Sequence, residues 1–198
     1  MIITIGRQHG TDGRTIAVEL AKQLNIPCYS REIVDEAARN SSFSKEVLNS
    51  YDEKRVNPYV LTTPEYPSFN ETFHMNIEVV SVQFDAIRSL SEKGDCIFVG
   101  RCADYILRNR EDLIRVFFYG DYANRVKNIM KRKDLTEEKA KKLIKEVDKD
   151  RASYYRYYTD QIWGDFENYD LCIDSTKIDI EGSVAVIRSY IDHFKKTV

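Results

Sequence analysis

The chain has 198 residues, of which 42% are hydrophobic and 12% aromatic, values that fit one folded domain and exclude a disordered or low-complexity protein. Its 30 basic and 32 acidic residues give a net charge of −2, which excludes a uniformly basic nucleic-acid coat and a polyacidic tail protein. No apolar run approaches the ~20 residues that span a membrane, and the first is too short for a signal peptide. We therefore expect a cytoplasmic protein that does not contact membranes.

Short apolar runs alternate with helical stripes along the first half of the chain. The run Ile2-Ile3-Thr4-Ile5 precedes a helix over residues 14–24, which has one apolar face. A brief extended run at 26–29 precedes another helical stretch at 33–38. Residues 40–67 show no period and hold three of the four prolines, which predicts an irregular insert.

The second half of the chain continues this alternation. The predicted elements are, in order, a helix that closes at 93–94, strands at 96–99 and 114–118, helices at 121–132 and from Thr136 onward, a strand at 170–173 and a final helix. Strands that are apolar throughout and alternate with helices predict a parallel sheet covered on both faces. Ligands of such sheets bind beyond the carboxyl ends of the strands, so the residues just after each strand are the candidates for function.

The residues after the first strand have the layout of a phosphate-binding loop. The segment Gly10-Thr11-Asp12-Gly13-Arg14-Thr15 leads into a helix N-terminus, where backbone N–H groups and the helix dipole favour an anion. The common motif has Lys where Arg14 stands and Gly where Gln8 stands, so a glycine-rich turn with ordinary capping is the alternative. Asp12 would repel bound phosphates, whereas Thr15 would offer a hydroxyl to Mg²⁺.

A second cationic candidate follows the buried strand at 96–99. In the segment Val99-Gly100-Arg101-Cys102-Ala103-Asp104, the arginine faces the same crevice as the loop and could hold a substrate phosphate in a bidentate fork. The alternative is a surface arginine paired with a nearby acid.

The segment from Arg125 to Arg156 is locally basic, with 12 Lys/Arg against 6 Asp/Glu. Three interpretations are open: a lid whose arginines close on a polyphosphate, a tyrosine-bearing surface that stacks on RNA bases, and a solvated helix. Arg151 and Arg156 would be ~140° apart on one helix, so the helix bends between Ala152 and Tyr155 or Arg151 alone reaches a nucleotide. Like-charge repulsion predicts that this segment is open when no ligand is bound.

Four segments carry a resemblance to a known family. They are Gly10-x-x-Gly13-Arg14, Tyr29-Ser30-Arg31-Glu32, Val99-Gly100-Arg101 and Tyr169-Asp170-Leu171-Cys172-Ile173-Asp174-Ser175-Thr176. In this order they resemble the cytidylate kinase-like proteins, a divergent branch of the P-loop nucleoside monophosphate kinases, over nearly the whole chain. The resemblance implies an α/β fold, a P-loop NTPase-type parallel sheet with helices on both faces, a lid and a monophosphate-binding insert.

The resemblance also implies where the ligands lie within a single domain over 1–198, with a mobile acceptor-binding insert at 40–72 and a lid at 133–165. It places ATP on the loop and Mg²⁺ at Thr15. The residues implied for the triphosphate are Gly10, Thr11, Asp12, Gly13, Arg14, Thr15 and Arg125. Those implied for the acceptor are Ser30, Arg31, Arg101 and Asp104. The implied catalytic residues are Arg14, Arg151 and Arg156.

The leading hypothesis is therefore an ATP-dependent phosphotransferase that acts on a cytidylate-type nucleoside monophosphate. Cytidylate kinases have Lys at the position of Arg14 and acidic residues at those of Val99 and Cys102, which are absent here. A nucleotide- or phosphate-binding regulatory protein is thus the second hypothesis. RNA binding through the basic segment is the third and least favoured one. The base preference and the oligomeric state stay open.

Overall fold

A single parallel sheet organises the chain. The computed structural model of the protein describes residues 1–50, 53–54 and 67–194, with the backbone alone for 67–76. The strands are β1 (Ile2–Arg7), β2 (Cys28–Tyr29), β3 (Cys96–Val99), β4 (Leu113–Tyr119) and β5 (Leu171–Asp174). They lie in the order β2-β3-β1-β4-β5, and neighbouring strands are parallel.

Helices cover both faces of this sheet, which confirms the predicted fold class. The helices of the described residues are α1 (Gly13–Leu24), α2 (Glu32–Arg39), α3 (Lys45–Ser50), α4 (Pro67–Ser91), α5 (Ala103–Ile106), α6 (Tyr122–Lys133), α7 (Glu137–Thr159) and α8 (Ile180–Phe194). None of them is both long and apolar enough to cross a membrane. Helix α3 lies in the stretch where no element was expected, and residues 51–52 and 55–66 of the expected insert lie outside the described residues.

The central strands are apolar on both faces because helices pack on each side. Ile3 and Ile5 of β1 pack with α1 and α8, whereas Ile2 packs with α2 and α4 on the opposite face. Each fully buried isoleucine contributes about 1.5–3 kcal/mol, so the alternation along β1 fixes which helices lie on which side.

The sheet order creates a crevice at the carboxyl end of β1. This strand lies between β3 and β4, while the chain leaves it toward β2, on the far side of β3. Loops that leave neighbouring strands at such a switch point diverge and leave room for a ligand. The crevice therefore brings the loop after β1 close to the turn after β3.

Helices α6 and α7 form a hairpin that returns to the sheet. The hairpin has its own small apolar cluster, formed by Val126, Ile129, Ala140 and Ile144. Further along α7, Tyr154 and Tyr155 are buried against Val80 of α4 and against Cys102. Helix α7 is unbroken to Thr159. The expected open arrangement is therefore wrong for this structure, because apolar contacts hold the end of α7 against the body of the protein.

Candidate functional site

The loop after β1 is held by hydrogen bonds to its carbonyl oxygens. The carbonyls of residues 8–11 each accept a bond from a side chain. The donors, in that order, are Thr11 (2.8 Å), Arg125 (3.2 Å), Asn128 (3.0 Å) and Ser175 (2.7 Å). The first backbone N–H groups of α1 have no acceptor within the helix, because no helical carbonyl precedes them by one turn. A loop whose carbonyl oxygens are already hydrogen-bonded, next to N–H groups without a helical acceptor, suits an anion at a helix N-terminus.

Two residues of this loop have left-handed backbones. Gly10 has φ +91°, and a Cβ there would lie 2.8 Å from the carbonyl oxygen of Arg125, so only glycine fits. Asp12 has φ 55° and immediately precedes α1. Its carboxylate lies 2.5 Å from Nη2 of Arg132 on α6. The Asp12 carboxylate, which was expected to repel bound phosphates, is therefore paired with a cation.

The loop opens onto a cleft of about 390 Å³, which we call the cationic cleft. Two carboxylates, Asp12 and Glu53, are among its lining residues. Its cationic lining residues are Arg7, Arg14, Arg31, Arg101, Arg132, Lys133 and Arg151. A concave wall with this excess of positive charge concentrates anions and suits a polyphosphate.

The pKa of His9, which also lines the cleft, reflects this charge. Burial lowers the pKa of His9, and Arg151, Arg132, Lys133 and Arg7 lower it further, to about 4. The imidazole is therefore neutral at physiological pH and adds no charge to the cleft.

The structure brings most of the predicted ligand residues to this cleft. Gly10, Asp12, Gly13 and Arg14 form the part of its wall beside α1, and Ser30, Arg31 and Arg101 form the part that follows β2 and β3. Arg14 and Arg31 are exposed. Arg101 is buried, and its Nη1 donates a hydrogen bond to the Ser30 carbonyl. This contact ties the end of β2 to the turn after β3.

The two threonines of the loop differ in their surroundings. Thr15 lies in the first turn of α1 and is exposed. Thr11 is buried, and its hydroxyl donates to the Gln8 carbonyl. Thr11 therefore shapes the loop through its side chain, whereas Thr15 presents its hydroxyl to solvent.

Besides Thr11 and Thr15, three predicted site residues are not among the lining residues of the cleft. Arg125 is buried behind the loop, where its Nη1 lies 2.6 Å from Oδ2 of Asp148. Asp104 is also buried, and it accepts a 2.7 Å hydrogen bond from the Tyr155 hydroxyl. Arg156 is exposed and pairs with Asp160 at 3.3 Å. Because α7 does not bend, Arg151 alone of its two candidate arginines reaches the loop, where it donates to the Arg7 carbonyl at 3.0 Å.

The tyrosines of the basic segment do not form an open stacking surface. Tyr154 and Tyr155 are almost fully buried, and Tyr158 packs on Tyr154 with ring centroids 4.8 Å apart. Stacking on RNA bases requires exposed aromatic faces. The arrangement therefore gives no support to the third hypothesis.

Four charged residues of the cleft were not among the site residues predicted from the sequence. They are Arg7, Glu53, Arg132 and Lys133. Arg7 directly follows the first apolar run, so its place at a strand end was a usable signal. Arg132 and Lys133 lie in the basic segment that was a candidate lid, although neither was singled out within it. Glu53 reaches the cleft through contacts that are distant in sequence, and no local pattern marks it.

The carboxylates of the cleft are not free to bind Mg²⁺, so an ion there would depend on the phosphates of a ligand. Within the described ranges, no group of three or more His, Cys, Asp or Glu side chains could hold a metal. Asp12 pairs with Arg132, and Glu53 pairs with Arg7 and Arg151. Thr15 is exposed in the first turn of α1 but is not among the lining residues of the cleft, so its hydroxyl would reach only an ion that is carried mainly by ligand phosphates, the usual manner in which proteins bind Mg²⁺ with nucleotides.

The sheet order, the loop at the helix N-terminus and the cationic cleft define a P-loop kinase fold. A solved structure with this fold is shikimate kinase from Bacteroides thetaiotaomicron, with a TM-score of 0.57 and 11% identity over 97% of this chain and 98% of that chain. More similar is an uncharacterized protein from Eubacterium ventriosum, with a TM-score of 0.73 and 30% identity over 97% of this chain and 98% of that chain.

The family follows from the sequence comparison. The chain belongs to the cytidylate kinase-like family, whose model matches residues 2–177. Among curated relatives, the cytidylate kinase of Methanocaldococcus jannaschii is 27% identical over 201 residues, which cover 99% of this chain and 100% of the relative. The cytidylate kinase of Methanococcus maripaludis is 29% identical over 202 residues, which cover 98% and 99% of the two chains. The predicted family resemblance is thereby confirmed.

Proposed function

We propose that the protein transfers the terminal phosphoryl group of ATP to a cytidylate-type nucleoside monophosphate. The observation that carries the proposal is the cationic cleft, in which loop residues Gly10, Asp12, Gly13 and Arg14 line a single space of about 390 Å³ together with Arg31 and Arg101. Two phosphate-bearing ligands can meet there. Membership of a kinase-like family and the similarity to cytidylate kinases support the choice of reaction and acceptor.

The residues of the cleft divide between donor and acceptor in this proposal. The loop N–H groups, Arg14 and Thr15 hold the ATP phosphates with their Mg²⁺. Arg31 and Arg101 hold the acceptor phosphate, and Arg151, which lines the same cleft, contacts the transferred phosphoryl group. Arg125 and Asp104, which the sequence placed on the ligands, support the loop and α7 from behind the cleft.

The reaction requires that the two phosphate groups are positioned for attack and that their negative charge is neutralised. An oxygen of the acceptor monophosphate attacks the γ-phosphorus of ATP, a new P–O bond forms, and the bond to the β-phosphate oxygen breaks to release ADP. No protein base is needed, because the attacking oxygen is already anionic. Arg14 and Arg151 are the catalytic residues in this proposal, since guanidinium groups at the transferred phosphoryl group stabilise its charge in the transition state.

The lid at 133–165 corresponds mainly to α7 in this proposal. The α6–α7 hairpin has its own apolar cluster, and its end packs against the body of the protein. Arg132 and Lys133 at the end of α6 and Arg151 on α7 already line the cleft, so the lid segment would cover bound phosphates with three cations and exclude water.

A regulatory protein that binds nucleotide without turnover is the second candidate. It is favoured by the two cleft carboxylates, Asp12 and Glu53, because both are engaged by arginines and offer no free ligand to Mg²⁺. The arginine at position 14 also differs from the lysine of the common motif, since its planar fork is larger and less adaptable.

Release of ADP separates the two candidates. The full chain is incubated with ATP, Mg²⁺ and each of CMP, dCMP, UMP, AMP and GMP, and ADP formation is followed with a coupled assay. We expect CMP or dCMP to give the fastest release. If no monophosphate raises the rate above that with ATP alone, the transferase proposal is wrong, and ATP binding by calorimetry then supports the regulatory candidate.

Substitutions at the acceptor wall locate the acceptor site. Arg31→Ala should raise the KM for the monophosphate about tenfold or more, the equivalent of one charged hydrogen bond of about 1.5–3 kcal/mol. Arg101→Lys should also weaken binding of the acceptor monophosphate, because Lys cannot form a bidentate fork. Arg88→Ala on α4 removes an exposed arginine whose partner is Asp85, and serves as the matched control. Unchanged KM values in both acceptor-wall variants would place the acceptor elsewhere.

A further inference from the structure

The carboxylate of Glu53 is held by three donors at the inner end of the cationic cleft. Its Oε1 accepts a 2.6 Å bond from Nη1 of Arg7 and a 3.0 Å bond from the backbone N–H of Arg101. Its Oε2 accepts a 3.2 Å bond from Nε of Arg151. We call these three donors the anion seat. The Glu53 side chain is only 16% exposed, so the seat encloses the carboxylate.

The backbone around the anion seat is shaped for a negative group. Gly100, Arg101 and Cys102 have successive positive φ angles of 80°, 55° and 56°, and turns of this kind can direct backbone N–H groups toward an anion. A Cβ at Gly100 would overlap both the Glu53 carboxylate and the Arg7 guanidinium. The turn after β3 therefore leaves room for an anionic group and for the arginine that binds it.

Two guanidinium groups and a backbone N–H around one point form a donor set that suits a phosphate as well as a carboxylate. The seat opens into the cleft, because its three residues and Glu53 all line that space. We propose that the Arg7–Arg101–Arg151 seat is a phosphate site and that Glu53 is its internal occupant, which a ligand phosphate displaces. That this phosphate belongs to a nucleotide rests on the proposed function, whereas the competition between Glu53 and a phosphate does not.

The electrostatics of the seat agree with an exchange of anions. Burial alone would raise the pKa of Glu53, but Arg7 and Arg151 hold it well below its ordinary value, so the carboxylate is charged at physiological pH. Burial and the neighbouring Arg7 lower the pKa of Arg151 to about 10, with Glu53 acting in the opposite direction. Without Glu53, the two guanidinium groups would lose the carboxylate that binds them both and would attract an external anion more strongly, although Asp148 also offsets part of the charge of Arg151.

The test measures the affinity of the full chain for inorganic pyrophosphate by calorimetry. Glu53→Gln removes the competing charge and should bind pyrophosphate at least about tenfold more tightly, which corresponds to about 1.4 kcal/mol. Glu46→Gln removes an exposed carboxylate of α3 and is the matched control, with no change expected. Equal or weaker binding by Glu53→Gln would overturn the proposal.

Two more variants locate the effect and guard against misfolding. Adding Arg7→Ala to Glu53→Gln should abolish the gain, and a gain that persists would mean that pyrophosphate binds elsewhere and would contradict the proposal. Glu53→Asp keeps the charge but withdraws it by one methylene group, so its affinity for pyrophosphate should lie between those of the unaltered protein and of Glu53→Gln. An affinity equal to that of the unaltered protein would contradict the proposal even if Glu53→Gln failed to fold.

The two proposals fail in different ways. Tighter pyrophosphate binding by Glu53→Gln, together with no ADP release for any monophosphate, would keep the anion seat and reject the transferase. ADP release with unchanged pyrophosphate affinity in Glu53→Gln would keep the transferase and reject the role of Glu53.

Discussion

The hydroxyl of Tyr155 donates a 2.7 Å hydrogen bond to the carboxylate of Asp104, and both side chains are buried. The bond joins α7 to α5 behind the cationic cleft. Tyr155 lies four residues after Arg151, and residues with this spacing share one face of a helix. The contact therefore sets how far Arg151 reaches toward the loop, where it donates to the Arg7 carbonyl. Asp104 thus acts on the site through α7.

Removing the hydroxyl should destabilise the protein and loosen α7. Tyr155→Phe leaves a buried carboxylate without this donor, and such a loss costs about 1–3 kcal/mol of unfolding free energy. Urea denaturation measures the change. Tyr122→Phe, at an exposed position in the first turn of α6, is the control and should change stability by less than about 0.5 kcal/mol. Equal stabilities of the two variants would mean that the bond has no energetic role.

The same pair predicts a pH dependence. Burial raises the pKa of Asp104 above its ordinary value. Between the unfolded pKa of ~4 and the higher folded pKa, the folded protein binds the proton more strongly, so stability falls as the pH rises through this window. Asp104→Asn retains an acceptor for Tyr155 but cannot ionise. Its stability relative to the unaltered protein should therefore increase with pH across this window, and a constant difference would contradict the assignment.

Arg125 and Asp148 should prove to be structural partners. Their side chains are 8% and 18% exposed, and Asp148 also accepts a 2.7 Å bond from the His9 N–H. Removing one member of a buried pair costs about 3–5 kcal/mol, because the other charge is left without compensation. We expect Arg125→Ala to lower the unfolding free energy by that amount.

A double-mutant cycle with Asp148→Asn checks this prediction. The double variant should lose much less than the sum of the two single variants, because each removes the same contact. Arg88→Ala, at an exposed pair with Asp85, should cost less than about 1 kcal/mol and is the control. Additive losses would show that Arg125 and Asp148 act separately.

Arg14 should contribute to ATP binding without contributing to stability. It is exposed in the first turn of α1 and lines the cleft. Arg14→Ala should weaken ATP binding by about 1.5–3 kcal/mol, the range for a hydrogen bond to a charged group. Calorimetry gives the affinity and thermal unfolding gives the stability. An unchanged ATP affinity would remove the loop from the ligand site.

His9 should report on the charge of the cleft. With a folded pKa of about 4, below the unfolded value of ~6.5, His9 binds protons more weakly in the folded protein. Its contribution to stability is therefore present above the unfolded value and decreases as the pH falls from ~6.5 toward the folded value. An NMR titration of the imidazole, assigned with His9→Gln, should show the low pKa, and pyrophosphate should raise it by offsetting the nearby cations. Titration near 6.5 in the ligand-free protein would contradict this picture.

Part of the site was predictable because it depends on local pattern and sheet topology. The carboxyl ends of parallel strands meet at one edge of a sheet, so Arg14, Arg31 and Arg101 were expected to share a crevice once the strands were recognised. The directions of Arg125 and Arg156 were not predictable. Both lie in the same basic segment, but one is turned inward by Asp148, 23 residues away in sequence, and the other is exposed beside Asp160.

Local patterns in the sequence are enough to predict the alternation of strands and helices, the loop at the start of α1 and the family, because apolar periodicity and turn residues act over a few positions. Which charges meet depends instead on tertiary contacts. Arg132 and Lys133 reach the cleft because the α6–α7 hairpin returns to the sheet, and Glu53 enters it from a stretch without any periodic pattern. The direction of a charged side chain depends on partners far along the chain, and the folded chain alone brings those partners together.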